Sequence, residues 1–254
     1  MILGFIGTGK ISSSIIYGIF NSKLKVKKIY ISSRNKNIAK KLEKKFREVK
    51  ILKNNQEIID KSPTIILGIT PNVGNKILSR LKFLKSKKII SLISTMNLDK
   101  IKKITKNKNV VRVIPLPPIE INKGPIIICP PNKSTKNLFK HLGVVIEIKN
   151  EKLSYNFWAT SSVMAAYYEM LNISSNWLIK KGIKKSIANG YISELFLSLS
   201  QDAVNKKSQG FKKLVADSQT PKGLNMQVLN ELKKVKFYIK FIKALENINK
   251  RLSK

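Results

Sequence analysis

The stretch ILGFIGTGKISSS, residues 2–14, places Gly7 and Gly9 directly after a short apolar run. The run predicts a buried β-strand, and the residues from Ile11 onward repeat their apolar side chains at helical spacing. In a strand–turn–helix unit of this kind, the first glycine allows a tight exit from the strand. The second glycine leaves room for a phosphate at the helix N-terminus. An ordinary tight turn is the alternative interpretation.

The first 150 residues repeat this alternation of short strands and amphipathic helices. The strand candidates, which are rich in β-branched residues, are residues 2–6, 28–32, 49–52, 64–69, 88–93, 110–114, 125–129 and 144–148. Several are apolar on both faces, as a buried parallel sheet requires. Strands and helices in this order predict βαβ units, and therefore an α/β fold with a doubly wound, Rossmann-type sheet.

After Asn150 the strand signals become rare and helical spacing dominates. The helices predicted there end near Gly182, span residues 187–205, and run from Pro221 through Leu245. The sequence therefore predicts two domains. Residues 1–150 form a dinucleotide-binding domain, and residues 151–254 form an all-α domain.

The second strand ends in Ile31-Ser32-Ser33-Arg34-Asn35. Dinucleotide-binding chains that use NAD carry an acidic residue near this point for the ribose 2′-hydroxyl. A carboxylate would repel a 2′-phosphate, whereas the Arg34 guanidinium beside hydroxyl and amide groups would bind it. The sequence thus favours NADP(H) over NAD(H). Ser33 and Asn35 could also cap a helix that begins at Lys36, and the two interpretations are compatible.

The chain is strongly basic, with 50 Lys and Arg residues against 14 Asp and Glu and a net charge of +36. Such an excess alone favours nucleic acid or an anionic membrane surface as a partner. The basic residues are nearly all lysine, however, and they are spread along the chain without interleaved aromatic residues. A solvated lysine surface is therefore the preferred interpretation, with no specific nucleic acid and no membrane.

Cysteine content and hydropathy favour the cytoplasm. Cys129 is the only cysteine, which excludes a disulfide framework and a cysteine zinc cluster. The apolar N-terminal run lacks a basic segment and is interrupted by Lys10, so it does not predict a signal peptide. No run of about 18 apolar residues predicts a membrane span.

Five segments, in matching order and spacing, carry a resemblance to a known family. They are Gly4-Phe5-Ile6-Gly7-Thr8-Gly9, Asn55-Gln56-Glu57, Gly68-Ile69-Thr70-Pro71, Val111-Arg112-Val113-Ile114-Pro115 and Thr220-Pro221-Lys222-Gly223-Leu224-Asn225. Through them the chain resembles the pyrroline-5-carboxylate reductase family nearly from end to end. The resemblance implies reduction of Δ1-pyrroline-5-carboxylate to L-proline with NADPH, as in proline biosynthesis. It also implies a homodimer with interlocked helical domains, in which residues 220–225 lie beside the nicotinamide of a paired domain.

The departures from the family fall where its members touch substrate. Leu116-Pro117 replaces Asn-Thr-Pro, Ser162-Val163-Met164-Ala165-Ala166-Tyr167 replaces Gly-Ser-Gly-Pro-Ala-Tyr, Lys222 replaces a glycine, and Asn225 replaces the threonine near the imine nitrogen. In the cofactor loop, Thr70 replaces a lysine. A second interpretation therefore keeps the fold and cofactor but changes the substrate to another cyclic imine or a carbonyl acid.

The segment over residues 220–225 also has the features of an anion site. Thr220 is a helix N-cap candidate, Pro221 suits the first helical position, and the N–H groups of a first turn are free. A glycine so early weakens a helix, so Gly223 favours a functional role over a routine capped helix. The predicted substrate contacts are Thr220, Lys222, Gly223, Leu224 and Asn225, with Asn225 as the catalytic candidate that orients the imine.

The predicted cofactor contacts follow the glycine loop and the strand ends of the first domain. They are Gly7, Thr8, Gly9, Lys10, Ile11, Ser33, Arg34, Asn35, Asn55, Ile69, Thr70, Pro71 and Ser94. Hydride transfer to a C=N bond needs a positioned nicotinamide, an anion site and a proton, so no metal is expected. A non-enzyme alternative is a dinucleotide-binding regulator that contacts polyanions.

Overall fold

The computed structural model describes residues 1–253 and divides the chain into two compact units. The first unit is Met1–Trp158 together with the C-terminal residues from Asn249, and the second is Ala159–Ile248. The first unit thus extends beyond the predicted boundary after Asn150. The reason is the packing of Glu151, Tyr155 and Trp158, which contact a buried arginine of the sheet.

An eight-stranded sheet forms the centre of the first unit. Its strands are β1 (Ile2–Ile6), β2 (Lys28–Ser32), β3 (Val49–Leu52), β4 (Thr64–Leu67), β5 (Lys88–Ser91), β6 (Val110–Ile114), β7 (Pro125–Cys129) and β8 (Val144–Glu147), in the order 3-2-1-4-5-6-7-8. The order reverses between β1 and β4, which is the point where open α/β sheets bind ligands. The predicted α/β class is confirmed, and every predicted strand is present with ends that agree within two residues.

The sheet is parallel except between β6 and β7, which pair antiparallel with Arg112 opposite Cys129. The connection between these strands contains only a short 3₁₀ helix, Pro117–Ile121, and is too short for a crossover helix. The 3₁₀ helix packs on the first helix instead, where Asn122 Nδ2 donates to Gly18 O at 2.8 Å. The predicted doubly wound sheet is thus parallel at every pair except this one.

Helices cover both faces of the sheet. Those of the first unit are α1 (Lys10–Asn21), α2 (Lys36–Lys45), α3 (Asn55–Lys61), α4 (Pro71–Ile77), α5 (Leu98–Thr105) and α6 (Lys133–Phe139), followed by α7 (Glu151–Ser161), which continues into the second unit. Two buried apolar clusters result, one around Phe5, Ile15 and Phe139 and the other around Ile6, Ile59 and Ile89. Isoleucine fills both because the strands are buried on both faces.

The second unit is helical, as predicted. Its helices are α8 (Met164–Lys180), α9 (Lys185–Asn205), α10 (Phe211–Asp217), α11 (Leu224–Lys234) and α12 (Phe237–Ser253), the last of which returns to the first unit. α8 packs on α9, where Ser175 Oγ donates to Asn189 Oδ1 at 2.6 Å. The single helix predicted from Pro221 through Leu245 is wrong, because Lys236 has a φ of 56° and interrupts it. None of the helices within residues 1–253 is both long and apolar enough to cross a membrane.

Candidate functional site

The glycine loop between β1 and α1 has the geometry that the sequence predicts for a phosphate-binding turn. Gly7 has a φ of +100°, and a Cβ there would lie 2.3 Å from Gly68 O. Only glycine fits this position. Gly9 is the N-cap of α1, and a Cβ there would meet no other heavy atom within 4 Å beyond its own neighbours and helix. The space that a side chain would fill is left open in front of the free N–H groups of α1.

Hydrogen bonds that the loop donates to β2 fix its position. Gly7 N donates to Ser32 Oγ at 3.0 Å, and Thr8 Oγ1 donates to Ser32 O at 3.0 Å. Thr8 is almost fully buried, so its hydroxyl serves the loop rather than a ligand. The two donors hold the loop in one conformation at the carboxyl end of the sheet.

Ser12 lies three residues after Gly9, at a position where dinucleotide-binding loops usually have a glycine or an alanine. It is buried, and its Oγ points at Gly68, so a Cβ on Gly68 would lie 2.0 Å from that oxygen. Among the described residues the Ser12 hydroxyl has no hydrogen-bond partner. The serine is accommodated because residue 68 has no side chain.

A cleft of about 460 Å³ opens beside the ends of β1, β2 and β3. It is lined by Ile6, Gly7, Ser32, Ser33, Arg34, Leu52, Lys53, Asn54, Asn55, Ile69, Val73, Lys76 and Ile77. Three cationic side chains, Arg34, Lys53 and Lys76, therefore border one cleft. Lys53 and Lys76 were missed by the sequence analysis, because they lie on segments that only the sheet order brings next to Arg34.

A second cleft, of about 550 Å³, adjoins the first and contains the glycine loop. Its lining is Gly7, Thr8, Gly9, Arg34, Asn35, Lys36, Asn37, Gly68, Ile69 and Thr70. Asn35 is the N-cap of α2, where its Oδ1 accepts from Ile38 N at 3.3 Å. The capping interpretation is thus confirmed for Asn35, and Arg34 beside it remains exposed on the cleft.

A third cleft, of about 500 Å³, continues from the glycine loop across the ends of β4, β5 and β6. It is lined by Gly9, Lys10, Ile11, Gly68, Ile69, Thr70, Pro71, Leu92, Ser94, Ile114, Pro115, Pro117 and Trp158. All thirteen predicted cofactor residues lie on one or more of the three clefts. Among residues 1–253, no aspartate or glutamate lines any of the three clefts.

The predicted substrate segment lies in the second unit, and its local structure differs from the prediction. α11 begins at Leu224 with Gly223 as the N-cap, so Thr220 is not the cap and Pro221 is not the first helical residue. The reason is a turn closed by Gly223 N, which donates to Thr220 O at 2.8 Å. Proline is favoured at the second position of such a turn.

Two residues of this turn are constrained, Lys222 by its backbone conformation and Gly223 by the space around it. Lys222 has a φ of 59°, a left-handed value that favours glycine. A Cβ on Gly223 would lie 2.1 Å from Thr220 Oγ1 and 3.0 Å from Thr220 O, so a larger residue there would have to displace the Thr220 side chain. Asn225, the catalytic candidate, donates from Nδ2 to Ser218 O at 2.9 Å and remains exposed. Leu116 precedes the 3₁₀ helix, and Met164 begins α8.

Cys129 is a buried thiol on β7. Burial raises the pKa of the Cys129 thiol, and the nearby Glu151 carboxylate adds to the effect, so the group stays protonated at neutral pH. No group of three or more His, Cys, Asp or Glu side chains within residues 1–253 is arranged to hold a metal ion.

Comparison with known proteins agrees with this geometry. Residues 2–97 match the family model described as NADP oxidoreductase, coenzyme F420-dependent. The chain is 20% identical over 258 residues to a pyrroline-5-carboxylate reductase of Arabidopsis thaliana, covering 98% of this chain and 93% of the relative. The chain is similar to pyrroline-5-carboxylate reductases from end to end.

Solved structures of such reductases share the fold. The 1-pyrroline-5-carboxylate reductase of Streptococcus pyogenes has a TM-score of 0.86 at 22% identity, covering 99% of this chain and 98% of its own. The pyrroline carboxylate reductase of Plasmodium falciparum, solved with NADP bound, has a TM-score of 0.85 at 23% identity, with coverage of 99% and 97%. The predicted resemblance to pyrroline-5-carboxylate reductases is confirmed, as is the enzyme class, an NADP-dependent oxidoreductase.

Proposed function

We propose that the protein reduces a cyclic imine carboxylate with NADPH, and that the substrate is Δ1-pyrroline-5-carboxylate, which becomes L-proline. The observation that carries this proposal is the run of three adjoining clefts along the carboxyl edge of the sheet, from Arg34 at one end to Trp158 at the other. A bound dinucleotide would follow this edge, with its diphosphate at the glycine loop between the two ends.

The charge of the clefts supports NADPH as the cofactor. Arg34, Lys53 and Lys76 border the cleft at the adenosine end, and no carboxylate is present to hold a free 2′-hydroxyl. A 2′-phosphate carries negative charge and accepts charge-assisted hydrogen bonds from such groups. The diphosphate would lie against Gly9 and the first N–H groups of α1.

The third cleft suits the reducing end of the cofactor and the substrate. When bound there, the reduced nicotinamide supplies a hydride to the imine carbon, and a proton reaches the nitrogen. The chain would hold the reacting ring between the glycine loop and the apolar wall formed by Leu92, Ile114 and Trp158. Exclusion of water and close positioning are what this reaction requires of the protein.

For the substrate carboxylate and imine we assign the turn and helix start over residues 220–225. The first N–H groups of α11 are free of intrahelical partners, and Lys222 places an ammonium group in the same turn. Asn225 would orient the imine nitrogen by a hydrogen bond, and its amide is already fixed by the bond to Ser218. Water supplies the proton, because an amide is too weak an acid.

We also propose that the functional molecule is a homodimer or a higher homo-oligomer. In the second unit only four residues, Ala159, Ser175, Ala188 and Ile192, are buried. Large apolar side chains are exposed there instead, including Trp177, Tyr191, Leu199 and Phe211 at 60% or more. Apolar surface of this extent marks an interface, and a second copy of the helical unit would cover it.

The test follows NADPH oxidation by the purified protein with Δ1-pyrroline-5-carboxylate, alongside calorimetry with NADPH and NADH. We expect turnover and tighter binding of NADPH. Turnover only with another cyclic imine or a carbonyl acid would select the alternative substrate class. Binding without any turnover, together with salt-sensitive DNA binding, would select the regulator.

A further inference from the structure

Arg112 on β6 is an arginine whose side chain is fully buried. Its Nη2 donates to Met96 O and lies 3.0 Å from Glu151 Oε1. Among residues 1–253, its Nε and Nη1 have no hydrogen-bond partner. A buried charge is costly unless its surroundings compensate it, so the groups around this guanidinium are informative.

Those groups come from one face of α7. Glu151, Tyr155 and Trp158 are spaced four and then three residues apart, which places them on the same side of the helix. The Arg112 Cζ lies 5.4 Å from the centroid of the Tyr155 ring and 5.3 Å from that of the Trp158 ring. Both distances are within the range of about 6 Å for a cation–π contact.

Glu151 connects this cluster to the neighbouring helix. The same Oε1 that pairs with Arg112 accepts from Leu98 N at 2.8 Å, in the first turn of α5. The guanidinium is therefore held by Met96 and Glu151 at its edge and by two aromatic rings. In turn it fixes the position of α7 on the sheet.

The two aromatic residues differ in one respect. Trp158 lines the third cleft, next to Ile114, Pro115 and Pro117, whereas Tyr155 does not line it. Trp158 therefore lines the third cleft and also contacts the buried guanidinium of Arg112. Tyr155 makes the same kind of contact with Arg112 without reaching the cleft, so the chain contains its own matched control.

We propose that Trp158 forms the wall on which the substrate ring packs and limits its size, and that Arg112 is the positioning residue that holds the indole. This inference rests on the proposed function, because it assumes that a cyclic imine occupies the third cleft. An indole offers a large, rigid apolar surface to the hydrocarbon part of such a ring. Its position, set by Arg112, decides whether a ring with one more methylene group fits.

The test compares Trp158→Leu with Tyr155→Leu. Both variants remove one ring from Arg112, so we expect both to lower the melting temperature. Only Trp158→Leu should raise KM for the five-membered imine, by about tenfold, with NADPH affinity unchanged. It should also raise kcat/KM for a six-membered cyclic imine carboxylate relative to the five-membered one. Tyr155→Leu should change KM less than about twofold, because Met96 and Glu151 still hold Arg112.

Arg112→Lys tests the positioning role, since it keeps the charge and loses the planar guanidinium. We expect it to change KM and ring-size preference in the same direction as Trp158→Leu, with no further effect in the double variant. Glu151→Gln serves the same purpose if Arg112→Lys does not fold. Equal KM values for Trp158→Leu and Tyr155→Leu in an active enzyme would overturn this inference alone. A wild-type protein that reduces no cyclic imine would overturn the proposed function as well.

Discussion

Arg34 is the side chain that, in our proposal, selects between two cofactors that differ by one phosphate. It is exposed at the border of two clefts and makes no ion pair within residues 1–253. Its charge is therefore free for a ligand. Lys53 and Lys76 on the same cleft add to the positive field, so a 2′-phosphate would be bound by several groups rather than one.

Arg34→Ala should weaken NADPH binding about tenfold and leave NADH binding nearly unchanged, because the charge-assisted bonds to the 2′-phosphate are lost. Calorimetry with both nucleotides measures the two dissociation constants. Arg47→Ala is the matched control, since Arg47 is also exposed but pairs with Glu48 and lines none of the three clefts. An unchanged ratio of the two affinities in Arg34→Ala would remove Arg34 from the cofactor site.

Lys222 affects stability through its backbone conformation and, in our proposal, substrate binding through its side chain. Its φ of 59° costs about 1 kcal/mol for a residue other than glycine. Lys222→Gly should therefore raise the free energy of unfolding by about 0.5–1 kcal/mol in urea titrations. Lys240→Gly, within α12, should lower it by about 1 kcal/mol.

The same Lys222→Gly variant should raise KM for the imine carboxylate several-fold, because it removes the ammonium group from the proposed anion site. Steady-state kinetics at fixed NADPH measure this. A stabilised variant with unchanged KM would show that Lys222 has no part in substrate binding.

At the level of elements, β1, α1 and β4 pack closely where they meet because two glycines there have no side chain. A Cβ on Gly7 would overlap the carbonyl oxygen of Gly68, and a Cβ on Gly68 would overlap the hydroxyl of Ser12. α1 can approach β4 closely only because residues 7 and 68 lack a Cβ. The position of its N-terminus at the switch of the strand order follows from this packing.

Gly68→Ala should lower the free energy of unfolding by about 1–3 kcal/mol, because the new methyl group overlaps Ser12 Oγ. Ser12→Ala removes that oxygen, so the double variant should recover much of the loss. Urea unfolding of the two single variants and the double variant completes the cycle. Strict additivity of the two changes would contradict the proposed contact.

For the whole molecule, the two units differ in how they are stabilised. The first unit buries two apolar clusters against its sheet, whereas the helices of the second unit bury few side chains within the chain. A helical unit with so little internal core would gain stability from the proposed association. The basic surface disfavours association through charge repulsion, so the contact of the proposed assembly would have to be apolar and extensive.

The wild-type protein should have the mass of a dimer or a larger oligomer in light scattering. Leu195→Glu combined with Leu199→Glu places two charges on one exposed stripe of α9 and should lower both the mass and the helix content. Leu84→Glu, at a leucine of the first unit about as exposed as Leu199, should leave the mass unchanged. A monomeric wild-type protein would disprove the proposed assembly.

The sequence by itself determined the strands and the glycine loop, and it predicts the preference for NADP. The β-branched runs favour extended strands, and the pair Gly7 and Gly9 favours a tight turn between a strand and a helix, because both patterns act through local backbone preference. The sequence predicted helix ends less well. Proline was a misleading signal at one helix start, and another helix ends with neither glycine nor proline. Pro221 marks a turn before α11 rather than its first residue, and Lys236 breaks the last helix without either residue type.

Only the tertiary structure decided which distant residues share a site. Lys53 and Lys76 join Arg34, and Trp158 reaches the third cleft from the start of the helical part, because the order of strands sets what lies side by side. The antiparallel pairing of β7 and the burial of Arg112 under α7 depend in the same way on long-range packing. Local sequence patterns reflect the backbone preference and burial of each segment. Which distant segments lie next to each other is decided only when the chain folds.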